Sequence, residues 1–360
     1  MKYNLSDVCS RLSSGKNIRA SEISSEGEYP VFGGNGQRGF TNHFNFDGEC
    51  AIIGRQGAFC GNVRYFSGKA YMTEHAVVVC ANDKSNIRYL AYLLSRMQLG
   101  RLSGQSAQPG LSVKVLAQQE IELPPIEYQN KIASILGSIE AKIFLNTAIN
   151  DNLEQQARTL YQRMFIDNPV SEGYMGTLSD IADITMGQSP NGSSYNEDGN
   201  GAVFFQGRAE FGFRFPSVRL YTTEPKRMAC ANDTLMSVRA PVGDLNVAYT
   251  DCCIGRGLAA IHSKSNQQSF VLYTMFSLHK QLDVFNGEGT VFGSINRTAL
   301  TELPIFIPSD REIVKFEAIV APIDAAIRNN YEEICRLEKI RDALLPKLMS
   351  GELDVSAIEL

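Results

Sequence analysis

Most of the marks of an enzyme are missing from this chain. There is no Gly-x-x-x-x-Gly-Lys-Ser/Thr loop, which argues against nucleotide hydrolysis of the P-loop kind. There is no Gly-x-Ser-x-Gly elbow, no His-Glu-x-x-His pair and no Asn-Pro-Pro-Tyr-like methyltransferase motif. The four histidines, His43, His75, His262 and His279, are scattered, and each reads as an ordinary surface or core residue. The eight cysteines form no Cys-x-x-Cys pair, so no convincing zinc set can be assembled. Adjacent Cys252 and Cys253 lie in an apolar run, where cysteines are usually just packed. Buried free thiols in a reducing compartment are the simplest reading of all eight. The segment Met1–Asp7 lacks the apolar core of a signal peptide, and no uninterrupted apolar run reaches membrane-spanning length. A cytoplasmic protein with no membrane partner is expected. Positive charge is also scarce: 34 Lys+Arg against 39 Asp+Glu give a net charge of −5. That balance weighs against a free-standing nucleic-acid binder. Residues 1–125 are weakly basic, with 13 Lys+Arg and 10 Asp+Glu. A DNA reader of this kind would depend on partner subunits for much of its phosphate contact.

What is present is ordinary globular material, 44% hydrophobic and 20% charged, in 360 residues that allow two or three domains. One stretch organises it. From Glu127 to Phe165 the residues Ile132, Leu136, Ile139, Ile143, Asn146, Asn150, Leu153, Ala157, Leu160 and Met164 recur at steps of four and three. That is the seam of a coiled coil, repeating every 3.5 residues. A helix of this length runs roughly 60 Å, too far to be wrapped by one small domain. It needs a long partner, and the same chain supplies one. Adding 184 to each position gives Phe316, Val320, Ile323, Ile327, Asn330, Ile334, Leu337, Arg341, Leu344 and Leu348, of which eight are apolar. Asn146 falls on Asn330, and Ile139-Glu140-Ala141-Lys142-Ile143 is echoed by Ile323-Asp324-Ala325-Ala326-Ile327. This is an internal repeat. The two Asn positions are either register-setting polar residues in the seam or residues facing solvent where it loosens.

The segments before the two helices share a frame. Leu5-Ser6-Asp7-Val8, a short helical pattern with Ser6 as N-cap, answers to Leu178-Ser179-Asp180-Ile181. Leu123-Pro124-Pro125 and Leu303-Pro304 through Pro308 close the two units just before the helices. Strands are predicted at 50–54, 61–66 and 75–80 and a helix at 87–99. The glycine-rich Tyr29–Phe40 reads as flexible backbone carrying long hydrogen-bonding side chains. The domains predicted are 1–125 and 169–308, each followed by a long helix, at 126–168 and 309–360.

The remaining chemistry is recognition. Reading a DNA major groove takes long planar side chains, Arg for guanine and Asn or Gln for adenine. Both units set such residues beside glycines and turns, where a backbone can approach DNA. The first offers Asn35, Gln37, Arg38, Arg55, Gln56, Asn62 and Arg64. The second offers Gln188, Asn191, Gln206, Arg208, Arg214, Arg239, Asn246 and Arg256. Taken singly, each is more often a turn or surface residue than a base contact.

At this point the sequence resembles the specificity subunits of type I restriction–modification systems. The resemblance is carried by Gly187-Gln188-Ser189-Pro190, Tyr195-Asn196, Phe205-Gln206-Gly207, Ser237–Asp244 and Ile254–Ile261, which look like the family's target-recognition domain. Tyr29–Gly36 and Glu74–Val78 resemble another variant of it, and Leu123-Pro124-Pro125 with Tyr128, Gln129 and Ile132 the entry to the helical region. The second copy departs there, with Glu312 and Ile313 where Tyr128 and Gln129 would fall. The resemblance implies an α+β chain without catalytic activity. It would hold two mixed α/β target-recognition domains, each binding half of a bipartite double-stranded DNA site. Two long helices would pack between them as an antiparallel coiled-coil spacer, giving a pseudo-twofold repeat. The helices would dock two methyltransferase (modification) subunits and, through them, the restriction subunits. No cofactor is expected in this chain; S-adenosylmethionine, ATP and Mg would be bound by the partners. Two other classes stay open: a coiled-coil scaffold whose globular units bind protein, and a nuclease, for which no carboxylate/Lys site is evident.

Overall fold

The computed structural model describes residues 1–103, 110–167, 172–287 and 293–358. The chain forms two compact units, Met1–Leu145 with Glu333–Leu360, and Asn146–Glu332. The boundaries between them therefore fall inside both long helices. The sequence-predicted boundary at 168/169 lies outside the described residues.

In the first unit a six-stranded sheet runs in the order Cys9–Ser14, Ala76–Ala81, Phe46–Gly54, Val63–Met72, Tyr29–Gly33 and Gly36–Thr41. All neighbours are antiparallel except Tyr29–Gly33 on Val63–Met72. The runs Cys50–Ile53 and Ala76–Val79 are apolar without a break because both faces are covered there. Ala51, Ile53, Val77 and Val79 point into one cluster with Leu90, Leu94, Ile132, Leu136 and Leu348. Their neighbours Cys50, Ile52, Ala76 and Val78 point into another with Phe32 and Met72. Helix Ile87–Arg96 lies on the first face through Ile87, Leu90, Ala91 and Leu94, and Asn86 caps it by accepting from the Arg88 and Tyr89 amides at 3.0 Å. It stops at Arg96, short of the predicted 99. A ladder of Lys2–Asn4 on Glu120–Glu122 leads into the long helix.

Two local readings change. The glycine-rich Tyr29–Phe40 is an ordered β-hairpin, not flexible backbone: cross-strand bonds pair Tyr29 with Thr41, and Gly36, at φ +107°, serves the turn. The cap of the turn Leu5–Val8 is Asn4 rather than Ser6, with the Asn4 amide donating to Asp7 Oδ2 at 3.0 Å. Ser6 already sits inside the turn.

The second unit holds a four-stranded antiparallel sheet, Ala182–Met186, Leu258–Ser263, Thr234–Ser237, Leu245–Val247. Beside it is a five-stranded one, Tyr195–Asn196, Leu220–Thr222, Ala202–Phe205, Cys252–Ile254, Met228–Ala229. Pro304–Pro308 pairs with Gly173–Thr177, and the following turn Leu178–Ile181 is capped as in the first unit, the Thr177 amide donating to Asp180 at 2.7 Å. Helix Gln268–Ser277 is buried almost all round, and Glu317 accepts from its first amides, Ser269 and Phe270, at 3.2 and 2.9 Å.

The first long helix spans Ile126–Tyr161 and continues as a π-helix through Asp167; the second spans Asp310–Ser350. None of the twenty seam positions is exposed. Within the first unit Ile132 and Leu136 share a core with Leu344 and Leu348, and Lys142 pairs with Glu333 at 3.5 Å. Within the second, Tyr161 and Phe165 meet Phe316 edge-to-face at 5.6 and 5.5 Å between ring centres. Emptying the buried Phe316 to Ala costs about 3–5 kcal/mol. Ile126–Asp167 is long and apolar enough, by length and composition, to cross a membrane, with a mean hydropathy of 1.4 over its best window, although Glu140 and Lys142 interrupt its apolar run. Its seam, however, is turned to protein, and Glu140 on the same helix accepts from Tyr92 Oη at 2.6 Å.

The cysteines are all free, but they are not uniformly buried. Cys50, Cys252 and Cys253 are; Cys230 is exposed. Burial pushes the Cys252 thiol up to about 12, which keeps it protonated and inert.

Candidate nucleic-acid interface

The first cluster is assembled by glycines. A Cβ on Gly34 would lie 3.1 Å from the His75 carbonyl and 3.2 Å from that of Gln56. One on Gly54 would lie 2.4 Å from the Gly34 carbonyl, and one on Gly36 2.9 Å from Arg64 Nη1. Only bare backbone lets the hairpin tip, the loop 55–62 and Arg64 meet. The loop is itself strapped, with the Gly54 amide on Asn62 O at 2.9 Å and the Gly61 amide on Gly54 O at 2.8 Å. Asn35, Gln37, Arg38, Gln56, Asn62 and Arg64 are exposed there, and Arg55 is half-buried, its Nη1 3.4 Å from Ser14 Oγ. Sequence reasoning missed Phe59, which stands 47% exposed on the same loop. Its signal was an aromatic set between Gly57 and Gly61, both at positive φ.

The second cluster uses the same device. A Cβ on Gly187 would lie 2.1 Å from the Gly255 carbonyl, and those on Gly255 and Gly257 2.8 and 2.9 Å from Gln206 O. The Gln188 amide donates to Ile254 O at 2.9 Å, and the Arg256 amide to Ser189 Oγ at 3.4 Å. Gln188, Gln206 and Arg256 thus come together, exposed, with Asn191 nearby in sequence and also exposed. Arg208 is exposed but ion-paired with Asp244. Arg239 is exposed on a segment bridged to Ser294, with no side-chain partner among the described residues.

Two predicted contacts are structural instead. Asn246 is buried and spends its Nδ2 on the Gly212 carbonyl at 2.9 Å. Arg214 is buried, its Nη1 3.1 Å from Asp324 and its Nη2 2.9 Å from Glu154 and 3.1 Å from Tyr273 Oη. Of its two flanking aromatics Phe215 is buried with it while Phe213 is exposed, so the local sequence carried no clear sign of burial. A charge held this way has no face left for a base.

The family model described as "Type I restriction modification DNA specificity domain" matches residues 1–155. The putative type I restriction enzyme MjaX specificity subunit of Methanocaldococcus jannaschii is 31% identical over 322 residues, covering 82% of this chain and 76% of that one. The chain belongs to the type I specificity-subunit family. The EcoprrI specificity subunit of Escherichia coli is 42% identical over a shorter 134 residues, 36% of this chain and 33% of that one. The crystal structure of the type I restriction–modification S subunit from M. genitalium shares the fold, with TM-score 0.67 and 18% identity over 97% of this chain and 95% of that one. Each of the two glycine-held clusters gathers exposed Arg, Asn or Gln side chains.

Proposed function

We propose that this chain is the DNA sequence-specificity subunit of a type I restriction–modification complex. Each globular part would read one half of a bipartite double-stranded site. The observation that carries this reading is the pair of clusters, one per unit, in which exposed Arg, Asn and Gln surround a glycine-built meeting of loops. Such side chains match the donor and acceptor pattern of purines in the major groove. The chain's kinship with specificity subunits over most of its length supports it.

A tandem repeat with domains at 1–125 and 169–308 is part of the proposal. It is supported by the offset of 184 and by the matching cap residues Asp7 and Asp180. The helices at 126–168 and 309–360 would pair as an antiparallel coiled coil that fixes half-site separation, much as dimer geometry does elsewhere. They would also dock two methyltransferase subunits, which carry restriction subunits in turn. Phe144, 71% exposed on the first helix, suits docking rather than solvent. Catalysis, with S-adenosylmethionine, ATP and Mg, would then belong to the partners, and the complex would work in the cytoplasm.

The test is co-expression with a type I methyltransferase subunit, followed by genome-wide mapping of methylated bases. A single bipartite motif is the expected result. Absence of sequence-dependent methylation would sink the reading, and metal-dependent cleavage by the isolated chain would replace it with a nuclease.

A further inference from the structure

In the second unit the domain touches the long helices at levels separated along their axes. At one end Tyr161, Phe165, Phe270 and Phe316 form an apolar cluster with ring centres 5.1–6.4 Å apart. Two turns on, roughly 12 Å along the second helix, Arg214 reaches Glu154 on the first helix and Asp324 on the second. It also meets Tyr273 of the domain, whose hydroxyl donates to Asp324 at 2.9 Å. Between domain and second helix, beside Arg214 and Asp324, lies a cleft of about 440 Å³. Packing is incomplete beside that cleft, where Arg214 ties the domain to both helices; one turn further along the second helix Arg328 donates to Tyr249 O at 2.7 Å, and Phe215 and Tyr249 pack on Tyr331 with ring centres 4.8 and 5.7 Å apart. An apolar cluster alone is a pivot; a second attachment at a distance fixes the angle.

The network is poorly designed for stability. Arg214 Nε is buried with no hydrogen-bond partner among the described residues, and the approach to Glu154 Oε2 lacks hydrogen-bond alignment. Glu154 is shared with Arg158, 2.6 Å away. Buried ion clusters of this kind are commonly no better than apolar substitutes for stability, while their geometry is specific. The loop that ends in Arg214 begins at Gln206 and Arg208, inside the second cluster, and is pinned by the Val247 amide on Arg214 O at 2.8 Å.

We propose that Arg214 is a positioning residue that fixes the tilt of the second recognition domain on both long helices, and so sets how strictly the half-site spacing is read. This rests on the two-half-site reading above. The test uses the full chain co-expressed with its methyltransferase subunit, with methylated sites mapped and the complex's melting followed. Wild type should methylate one spacer length. Arg214→Met with Asp324→Asn removes the tie while leaving Glu154 paired with Arg158. It should keep both half-site sequences but lose discrimination against spacers one base pair longer or shorter by about tenfold. Arg214→Lys, with charge but no fork, should fall between. Tyr273→Phe, which keeps the ion pairs, should loosen spacing by a smaller factor and decides the matter if the double variant does not fold. A purely structural role would lower melting and leave spacing unchanged, and that result overturns the proposal. A wild-type complex with no bipartite motif would instead overturn the functional reading.

Discussion

Asn330 donates its Nδ2–H to Asn150 Oδ1 at 2.9 Å, and Asn150 donates in turn to the Ile327 carbonyl at 3.2 Å. Asn150 is buried. Asn330 is thus turned into the seam, where it meets Asn150, one turn beyond Asn146. Asn330→Leu should leave the Asn150 carbonyl oxygen unpaired and cost about 1–3 kcal/mol in denaturant unfolding. Asn150→Leu with Asn330→Leu should recover most of that loss, because two apolar partners replace two polar ones. A double variant as weak as the sum of the singles would show that the pair does not act together.

Arg38→Ala and Arg239→Ala should each relax one half of the methylated motif and leave the other intact. A lost base contact is worth about 1–3 kcal/mol of discrimination. Methylation maps identical to wild type in either variant would remove that residue from the reading surface.

Gly187→Ala places a methyl 2.1 Å from the Gly255 carbonyl, so two backbone segments must separate. We expect a loss of about 1–3 kcal/mol of stability and weakened recognition confined to the second half-site. Gly192→Ala, in open space on the same segment, is the control and should behave as wild type.

Burial raises the Glu317 carboxyl above its ordinary 4.5, outweighing the Ser269 and Phe270 amides that favour its charged form. The folded state then holds more protons than the unfolded one between the ordinary and raised values. Stability should therefore fall as pH climbs through that interval. Melting of Glu317→Gln, which does not titrate, should show a shallower decline there. A slope equal to that of wild type would mean that another group titrates.

Seven residues inserted at matching seam positions in both helices keep the seam in phase and add roughly 10 Å. The preferred spacer should lengthen by about three base pairs at 3.4 Å each. A spacer unmoved by the insertion would end the view of the helices as a ruler.

Much of the fold was legible because it is periodic. Every seam position from Ile132 to Leu348 is shielded, since a narrow apolar stripe can only be buried against something as long as itself. The strands around Ile52 and Val78 announced themselves as apolar runs for a similar reason, having both faces covered. The hairpin at Tyr29–Thr41 was obscured by its glycines, which signal flexibility locally yet are needed for close approach. Arg214 and Asn246 were misread because residue type states what a side chain can bind, whereas burial decides whether it can reach a ligand at all. Among the recognition candidates, exposed Gln188, Gln206 and Arg256 were named correctly as residues, but nothing local placed them together.

By itself the sequence determined the long helices, their apolar spacing and the family, because periodicity and motif spacing are properties of the chain's order. Only the tertiary structure decided which Arg faces solvent and which is locked between helices, and which Asn meets which. Those outcomes depend on contacts such as Gly187 with Gly255 and Arg214 with Asp324, where residues far apart in sequence exclude or hold one another.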